Sequence, residues 1–148
     1  RNRGNYCQLF QQLTCDCPET EPDSPVIEWL NAHATDSVWI TSITIFEISF
    51  GLACLPNGRR KRALSEAFEI MVAADFNYHV LDFGRIAAER AGEISSRLQK
   101  LGRPVEIRDV QIAGIVSVRN ATLATRNLRH FRDTSIHLVD PWSEAIDQ

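Results

Sequence analysis

Several features that mark common protein classes are missing from this sequence of 148 residues. No apolar run approaches the roughly 18 residues that a membrane-spanning helix needs. No segment has the pattern of an export signal, so we expect a cytoplasmic protein without a membrane partner. A glycine-rich phosphate loop and a G-x-S-x-G elbow are also absent, which weakens nucleotide-binding and serine-hydrolase interpretations.

Cysteine is scarce, with four residues, and three of them fall within the first 17 positions. Cys7, Cys15 and Cys17 lack the paired spacing that a four-ligand zinc site requires. We therefore expect free thiols in a reducing compartment. Cys54 stands alone in an apolar stretch, and we expect it to be buried as a small hydrophobic residue.

An excess of positive charge is missing too, because the net charge is −3. This charge weighs against attraction of nucleic acid to the whole surface, and any such contact needs a local basic patch. One candidate is the run at 59–62, and the other is the spread of Arg119, Arg126, Arg129 and Arg132. Taken alone, such a run is more typical of a solvated helix face.

What is present indicates one α/β domain, since the apolar content of 44% is enough for a core. Apolar spacing, caps and breakers predict helices at 24–34, 41–55, 59–75, 84–100 and 109–118. Short apolar runs predict strands at 38–40, 78–83, 123–125 and 136–139. Strands separated by helices indicate a parallel sheet covered by helices.

The first 20 residues do not follow this alternation. Tyr6, Leu9, Phe10 and Leu13 have helical spacing, and no β-branched run is present there. A parallel α/β domain usually opens with a buried strand, so this segment conflicts with the rest. We treat 1–20 as an atypical N-terminal segment and 21–148 as the domain.

Glu47 is the most unusual charged residue, because its predicted helix is apolar on nearly every side. A buried carboxylate is costly unless it is paired or bound to a cation. Glu47 is therefore a candidate metal ligand; the alternatives are an ion pair with an arginine or a position at the helix rim.

Asp109 directly precedes an apolar helix, which makes it either an N-cap or a carboxylate placed to hold a hard cation at the rim of the sheet. Glu106, three residues earlier, could join it. Farther along, Thr125, Arg126 and Asn127 follow a predicted strand. These three residues either form a polar turn or orient a phosphate and a bound water.

Several short stretches follow one another in an order and at a spacing that, taken together, are specific to one protein family. No single stretch is specific by itself. They are EPD at 21–23, VIEWL at 26–30, ITIFEISFG at 43–51, GRPVEIRD at 102–109 with QIA at 111–113, ATLATRN at 121–127 with Phe131, and DPW at 140–142. Over residues 20–144 the chain resembles the PIN-domain ribonucleases of the VapC type. These are the toxin halves of bacterial type II toxin–antitoxin pairs.

The resemblance implies a PIN-like three-layer fold, with a mostly parallel central sheet flanked by helices and the first strand missing or altered. It also implies a hydrolase that cleaves RNA with Mg²⁺ or Mn²⁺. Glu47 and Asp109 match two of the family's metal-binding acids, and Asn127 matches its polar partner, so we expect these three residues to be catalytic. The implied partners are an antitoxin, an RNA substrate and a second copy of the chain in a homodimer.

Two departures from the family pattern bear on activity. The family's first strand ends in an Asp-Thr-Asn-like motif, but here Phe10 falls where that Asp is expected, and Asp16, Glu19 and Glu21 are the nearby acids. The family commonly has an acid before Phe131, and here that residue is His130. The competing hypothesis is therefore a catalytically impaired PIN-like module that binds antitoxin or RNA without cleaving. A plain α/β scaffold without a site is opposed by the isolated Glu47.

Overall fold

A computed structural model describes residues 6–7, 28–29, 31–34 and 37–143 of the chain. Within these ranges there are five strands: Tyr6–Cys7 (β1), Val38–Thr41 (β2), Val80–Leu81 (β3), Thr122–Ala124 (β4) and His137–Val139 (β5). The helices that follow are Ser42–Cys54 (α1), Arg59–Ala74 (α2), Arg85–Lys100 (α3), Ile107–Arg119 (α4) and Leu128–Phe131 (α5), the last continuing into a 3₁₀ turn at Arg132–Thr134. The predicted α/β class is confirmed.

The strands form one sheet in the order β3-β2-β1-β4-β5, and every neighbouring pair is parallel. β1 lies at the centre, where Tyr6 is in register with Val38 on one side and Thr122 on the other. In a parallel sheet all carboxyl ends meet at one edge, which is where such sheets bind ligands. The residues that follow β2 and β4 therefore come to the same edge.

The helical interpretation of the spacing that begins at Tyr6 is wrong for Tyr6–Cys7, which form the central strand. Both β2 and β4 present backbone donors and acceptors to the space between them, and a strand there satisfies both. Two residues of segment 1–20 thus belong to the sheet of the domain. Phe10 and Asp16 lie outside the described residues, as do Glu19 and Glu21.

Side chains along β2 point alternately to the two faces of the sheet, and each face is covered by its own apolar cluster. Val38 and Ile40 pack with Met71 and Phe76 in one apolar cluster, at and just beyond the end of α2. Trp39, between them in sequence, contacts the other cluster, which α3 and α4 build with β4. This alternation gives the three layers of helix, sheet and helix.

The helix layer that contains α3 and α4 depends on a very close approach of these two helices. A Cβ placed on Gly114 would lie 2.5 Å from the carbonyl oxygen of Ala87 and 2.8 Å from the Cβ of Ala91. Only glycine allows this separation. Leu98 and Ile112, both fully buried in the same cluster, contribute about 1.5–3 kcal/mol each through burial.

Helix boundaries follow local signals closely. Thr41 caps α1, since its side-chain oxygen accepts a hydrogen bond from the backbone N–H of Thr44 at 3.0 Å. Gly102 follows the end of α3 with φ of +68°, a backbone conformation that glycine adopts readily. The segment predicted at 24–34 is helical at Glu28, Trp29 and Asn31, and the backbone has left the helix by Ala32.

Two local predictions are wrong. The strand predicted at 78–83 is confined to Val80–Leu81, because Tyr78 has φ of +56° in the turn after α2. Cys54 is exposed rather than buried, since it lies on the outer side of the last turn of α1. In the ranges given above, no helix is both long and apolar enough to cross a membrane.

Candidate active site

The candidate site lies at the carboxyl edge of the sheet, where three elements converge. β2 leads directly into α1, which carries Glu47, and β4 is followed by the turn that carries Asn127. α4 runs antiparallel to β4, so its N-terminal turn, with Asp109, reaches the same edge. The parallel topology thus brings residues that are far apart in sequence to one edge of the sheet.

Asp109 is buried at this edge, with 3% of its side chain exposed. It is not the N-cap of α4, so that interpretation is wrong. The cap is Glu106, whose carboxylate accepts a hydrogen bond from the backbone N–H of Arg108 at 2.8 Å. Because the capping position is filled three residues earlier, the Asp109 carboxylate is left inside the first turn, where the helix dipole favours a negative charge.

His130 joins Asp109 to Asn127. The Nδ1 atom of His130 lies 3.0 Å from Asp109 Oδ2 and 2.9 Å from Asn127 Nδ2. Asn127 is held at the start of α5, where its backbone N–H donates to the hydroxyl of Thr125 at 3.1 Å. The turn after β4 therefore delivers an amide and an imidazole to a buried carboxylate.

Glu47 is largely buried, with 14% of its side chain exposed. Its Oε1 lies 3.7 Å from Nε of Arg108, which in turn donates to Glu106 at 2.9 Å. The ion pair with an arginine that the sequence left open is therefore present. At 3.7 Å it is a charge contact rather than a hydrogen bond.

Arg108 brings a positive charge to this edge, 3.7 Å from Glu47 and adjacent to Asp109 in the chain. The hydrogen bond to Glu106 raises the pKa of Arg108, and the charges of Glu47 and Asp109 raise it further. Burial by itself raises the pKa of Glu106, but the hydrogen bonds from Arg108 hold it below its ordinary value. Both Glu47 and Asp109 thus act on one guanidinium.

A solvent-open hollow of about 490 Å³ adjoins this cluster and is lined by Arg126, Asn127, Leu128, Arg129 and His130. Arg126 and Arg129 are exposed, and the guanidinium of Arg126 lies 5.8 Å from the ring of Trp142. Cations beside a buried acid and a stacking ring can bind a nucleic-acid backbone. Arg119, by contrast, lies at the opposite end of α4.

The donors described here fit a hard cation in kind. Mg²⁺ takes oxygen ligands, keeps several waters and is commonly held by one or two carboxylates, which Glu47 and Asp109 could supply. Across the ranges that the structure covers, no group of three or more His, Cys, Asp and Glu side chains is placed to hold an ion. A metal at this edge would therefore rely on water or substrate oxygens for its remaining ligands.

Two residues of this edge could not be assigned from the sequence. Arg108 adjoins Asp109 in the chain, but nothing in the sequence indicates that it faces Glu47. His130 stands where the resembling family has an acid, which marked it as a departure. Its contact with Asp109, 21 positions away, becomes visible only in the fold.

The family model of the PIN domain matches residues 19–136. The plasmid stability protein StbB of Pseudomonas syringae is 30% identical over 122 residues, which span 82% of this chain and 88% of StbB. The VapC ribonuclease Y4jK of Sinorhizobium fredii is 26% identical over 127 residues, which span 86% of this chain and 91% of Y4jK.

The fold is shared with a solved structure as well. FitAcB from Neisseria gonorrhoeae aligns with a TM-score of 0.74 and 28% identity, over 82% of this chain and 88% of that chain. The alignment covers more than four fifths of each chain, so the likeness concerns the domain rather than a shared motif.

Proposed function

Since the chain belongs to the PIN domain family, we propose that it is a ribonuclease that hydrolyses RNA phosphodiester bonds with Mg²⁺ or Mn²⁺. The observation that carries this proposal is the presence of two largely buried carboxylates, Glu47 on α1 and Asp109 on α4, at one edge of the sheet. The name of the related VapC ribonuclease supports the reaction class.

Glu47 and Asp109 would hold the metal ion. When bound, such an ion polarises the phosphate and lowers the pKa of an attacking water. Asp109 lies in the first turn of α4, with its side chain at the carboxyl edge of the sheet. The guanidinium of Arg108, 3.7 Å from Glu47, would offset part of the repulsion between the two negative charges.

RNA would enter along the open hollow. Arg126 and Arg129 would contact backbone phosphates through their guanidinium groups, which suits the planar geometry of a phosphate. Trp142 offers a ring face for one base, and Asn127 can hydrogen-bond a phosphate oxygen or a water through its amide. These contacts are tolerant of sequence, so the RNA target must be set elsewhere.

The test is cleavage of single-stranded RNA by the full chain with Mg²⁺ or Mn²⁺, compared with Asp109→Asn and with Glu93→Gln. Glu93 is an exposed acid on α3 that pairs with Arg90. Cleavage that the first substitution abolishes and the second leaves unchanged supports the proposal. A wild-type chain that stays inert with both ions contradicts it.

A second candidate function is a module that binds antitoxin or RNA without cleaving it. The contact of His130 with Asp109 at 3.0 Å favours this alternative, because it occupies one oxygen of a candidate ligand. Metal-dependent cleavage of RNA by the unaltered chain at any reproducible rate rejects this alternative. RNA binding without cleavage supports it.

An antitoxin and a second copy of the chain are the proposed protein partners, as the resemblance to VapC-type toxins implies. The solved FitAcB assembly supports a partner of this kind. On α1, Phe46 and Phe50 are 55% and 58% exposed, and their rings stack with centroids 6.2 Å apart. An apolar pair of this size is typical of a surface that a partner covers. Light scattering of the purified chain measures the dimer.

A further inference from the structure

A run of four basic residues at 59–62 begins α2, and its members differ in their surroundings. The side chain of Lys61 turns back to α1, where Nζ donates to the carbonyl oxygens of Ala53 at 3.2 Å and Leu55 at 3.3 Å. Carbonyl groups at the end of a helix lack intrahelical partners, and Lys61 supplies one. This residue therefore fastens the start of α2 to the end of α1.

The other three residues of the run, Arg59, Arg60 and Arg62, are exposed, and we call them the basic tip. Their guanidinium groups form no ion pair or hydrogen bond with any residue in the described ranges. Glu66 lies four positions after Arg62, at the spacing of a helical ion pair, but the two do not pair. On α3, by contrast, two exposed arginines each bind a glutamate about one turn away. The basic tip is therefore unneutralised positive charge on a chain whose net charge is −3.

The basic tip projects from the core on a helical hairpin that starts at the candidate active site. α1 carries Glu47 at the carboxyl edge, and its last buried residue is Ile48. α2 has no buried residue before Met71, and none lies between Ile48 and Met71. From Glu47 to the end of α1 at Cys54 the helix rises about 10 Å, at about 1.5 Å per residue. Only this short length of helix separates the tip from the buried carboxylates.

A nucleic-acid backbone matches the basic tip in charge and in spacing. Successive phosphates of a duplex strand lie about 3.4 Å apart along the axis, so about 10 Å corresponds to roughly three nucleotides. Guanidinium groups bind phosphate through paired N–H donors. An acidic protein segment would also be attracted, but RNA is the ligand that the proposed function already brings to this edge.

We propose that the basic tip binds the phosphate backbone of RNA a few nucleotides away from the bond held at the candidate active site. This inference rests on the proposed function for the identity of its ligand. It adds a second contact surface, separate from the hollow lined by Arg126 and Arg129. RNA that is too short to reach from the site to the tip lacks these contacts, so affinity should increase with RNA length.

The test is fluorescence anisotropy of labelled single-stranded RNAs of about 4 and about 16 nucleotides with the full chain, without divalent ions so that no RNA is cleaved. We expect the wild type to bind the longer RNA at least about tenfold more tightly. The combined substitution Arg59→Gln, Arg60→Gln and Arg62→Gln should remove most of this difference. The slope of log affinity against log salt should fall in magnitude by about 2, because each phosphate contact on a single strand contributes about 0.7.

A charge-matched control removes three exposed arginines from the helices on the other face of the sheet, through Arg85→Gln, Arg90→Gln and Arg119→Gln together. This control should keep the wild-type preference for the longer RNA. Circular dichroism verifies that both variants are folded, which we expect because the basic tip has no partner within the described ranges. Equal losses in the two variants, or no loss in the tip variant, overturn the inference.

The remaining outcomes separate this inference from the proposed function. Cleavage by the wild type with Mg²⁺ or Mn²⁺, combined with an unaffected tip variant, rejects only the inference. RNA binding that depends on the tip, without cleavage under either ion, keeps the inference and contradicts the proposed function. Binding of polyglutamate rather than RNA at the tip would assign it to an acidic protein and overturn the inference. No RNA binding by the wild type overturns both.

Discussion

Arg108 faces Glu47 across a gap of 3.7 Å, on the side of the site where a metal ion would need the same carboxylate. The guanidinium is therefore both a support for Glu47 and a competitor of any cation. Its stronger bond, at 2.9 Å, goes to Glu106 outside the candidate ligand set. If a metal ion bound Glu47, that carboxylate would lose only a weak charge contact, and Arg108 would keep its bond to Glu106.

Removing that competitor should tighten metal binding. In Arg108→Gln we expect the Mn²⁺ affinity to rise about fivefold, since opposite charges near 4 Å interact by about 1 kcal/mol in water. Calorimetric titration measures this change. Arg103→Gln is the matched control, because Arg103 pairs with Asp133 at 3.0 Å, outside the candidate ligand set. Equal or weaker affinity in Arg108→Gln would show that the guanidinium does not compete.

Acid should destabilise the start of α4. The pKa of Glu106 lies below its ordinary value of 4.5, since hydrogen bonds from Arg108 outweigh the effect of burial. A lowered pKa means that the stabilisation is complete above about pH 4.5 and is lost as the pH falls through the folded-state value. Glu106→Gln should lower the free energy of unfolding by up to about 1 kcal/mol at pH 7 and by less at pH 3. Urea unfolding at the two pH values measures this difference. A cost that does not shrink with acid refutes this account.

The contribution of Asp75 to the stability of the fold should change with pH in the opposite direction. Burial raises the pKa of Asp75 above 3.8, and this residue ends α2, where the helix dipole disfavours a negative charge. The charged carboxylate of Asp75 therefore destabilises the fold at neutral pH, and this cost disappears as acid protonates the group. Asp75→Asn should raise the free energy of unfolding by about 0.3–0.5 kcal/mol at pH 7 and leave it unchanged near pH 3. Thermal unfolding at the two pH values measures this; a gain that persists in acid contradicts it.

The contact between α3 and α4 offers a matched pair of glycines. Gly114→Ala should destabilise the fold by about 1–3 kcal/mol, since the added methyl would lie 2.5 Å from the Ala87 carbonyl oxygen. Gly92→Ala, on the exposed side of α3 with open space around it, should stabilise the helix by about 0.5–1 kcal/mol. Denaturant unfolding of both variants decides the point. Similar effects at the two positions would mean that the helices can separate at little cost.

Most of the helices could be predicted from sequence because their signals are local. Thr41 caps α1 and Gly102 ends α3, and both roles depend only on neighbouring backbone. The strand Tyr6–Cys7 could not be predicted, because two residues carry no periodicity and their position is fixed by strands that lie elsewhere in the chain. Non-local pairing decided the structure there.

The same distinction applies to the site. Glu47 and Asp109 could be singled out because a carboxylate in an apolar stretch is unusual in any fold. The capping role assigned to Asp109 was wrong because Glu106 competes for it from one turn earlier. The contact of Asp109 with His130 joins residues 21 positions apart, on the helices that precede and follow β4, and becomes visible only when α4 folds back along that strand.

Glu47 and Asp109 are proposed to bind one metal ion together, and Mn²⁺ titration by calorimetry tests this most directly. We predict that the wild type and Glu93→Gln bind Mn²⁺ equally well. Glu47→Gln and Asp109→Asn should each lose about tenfold or more in affinity, with circular dichroism showing that both remain folded. No heat of binding in the wild type, or folded variants with wild-type affinity, would contradict the account.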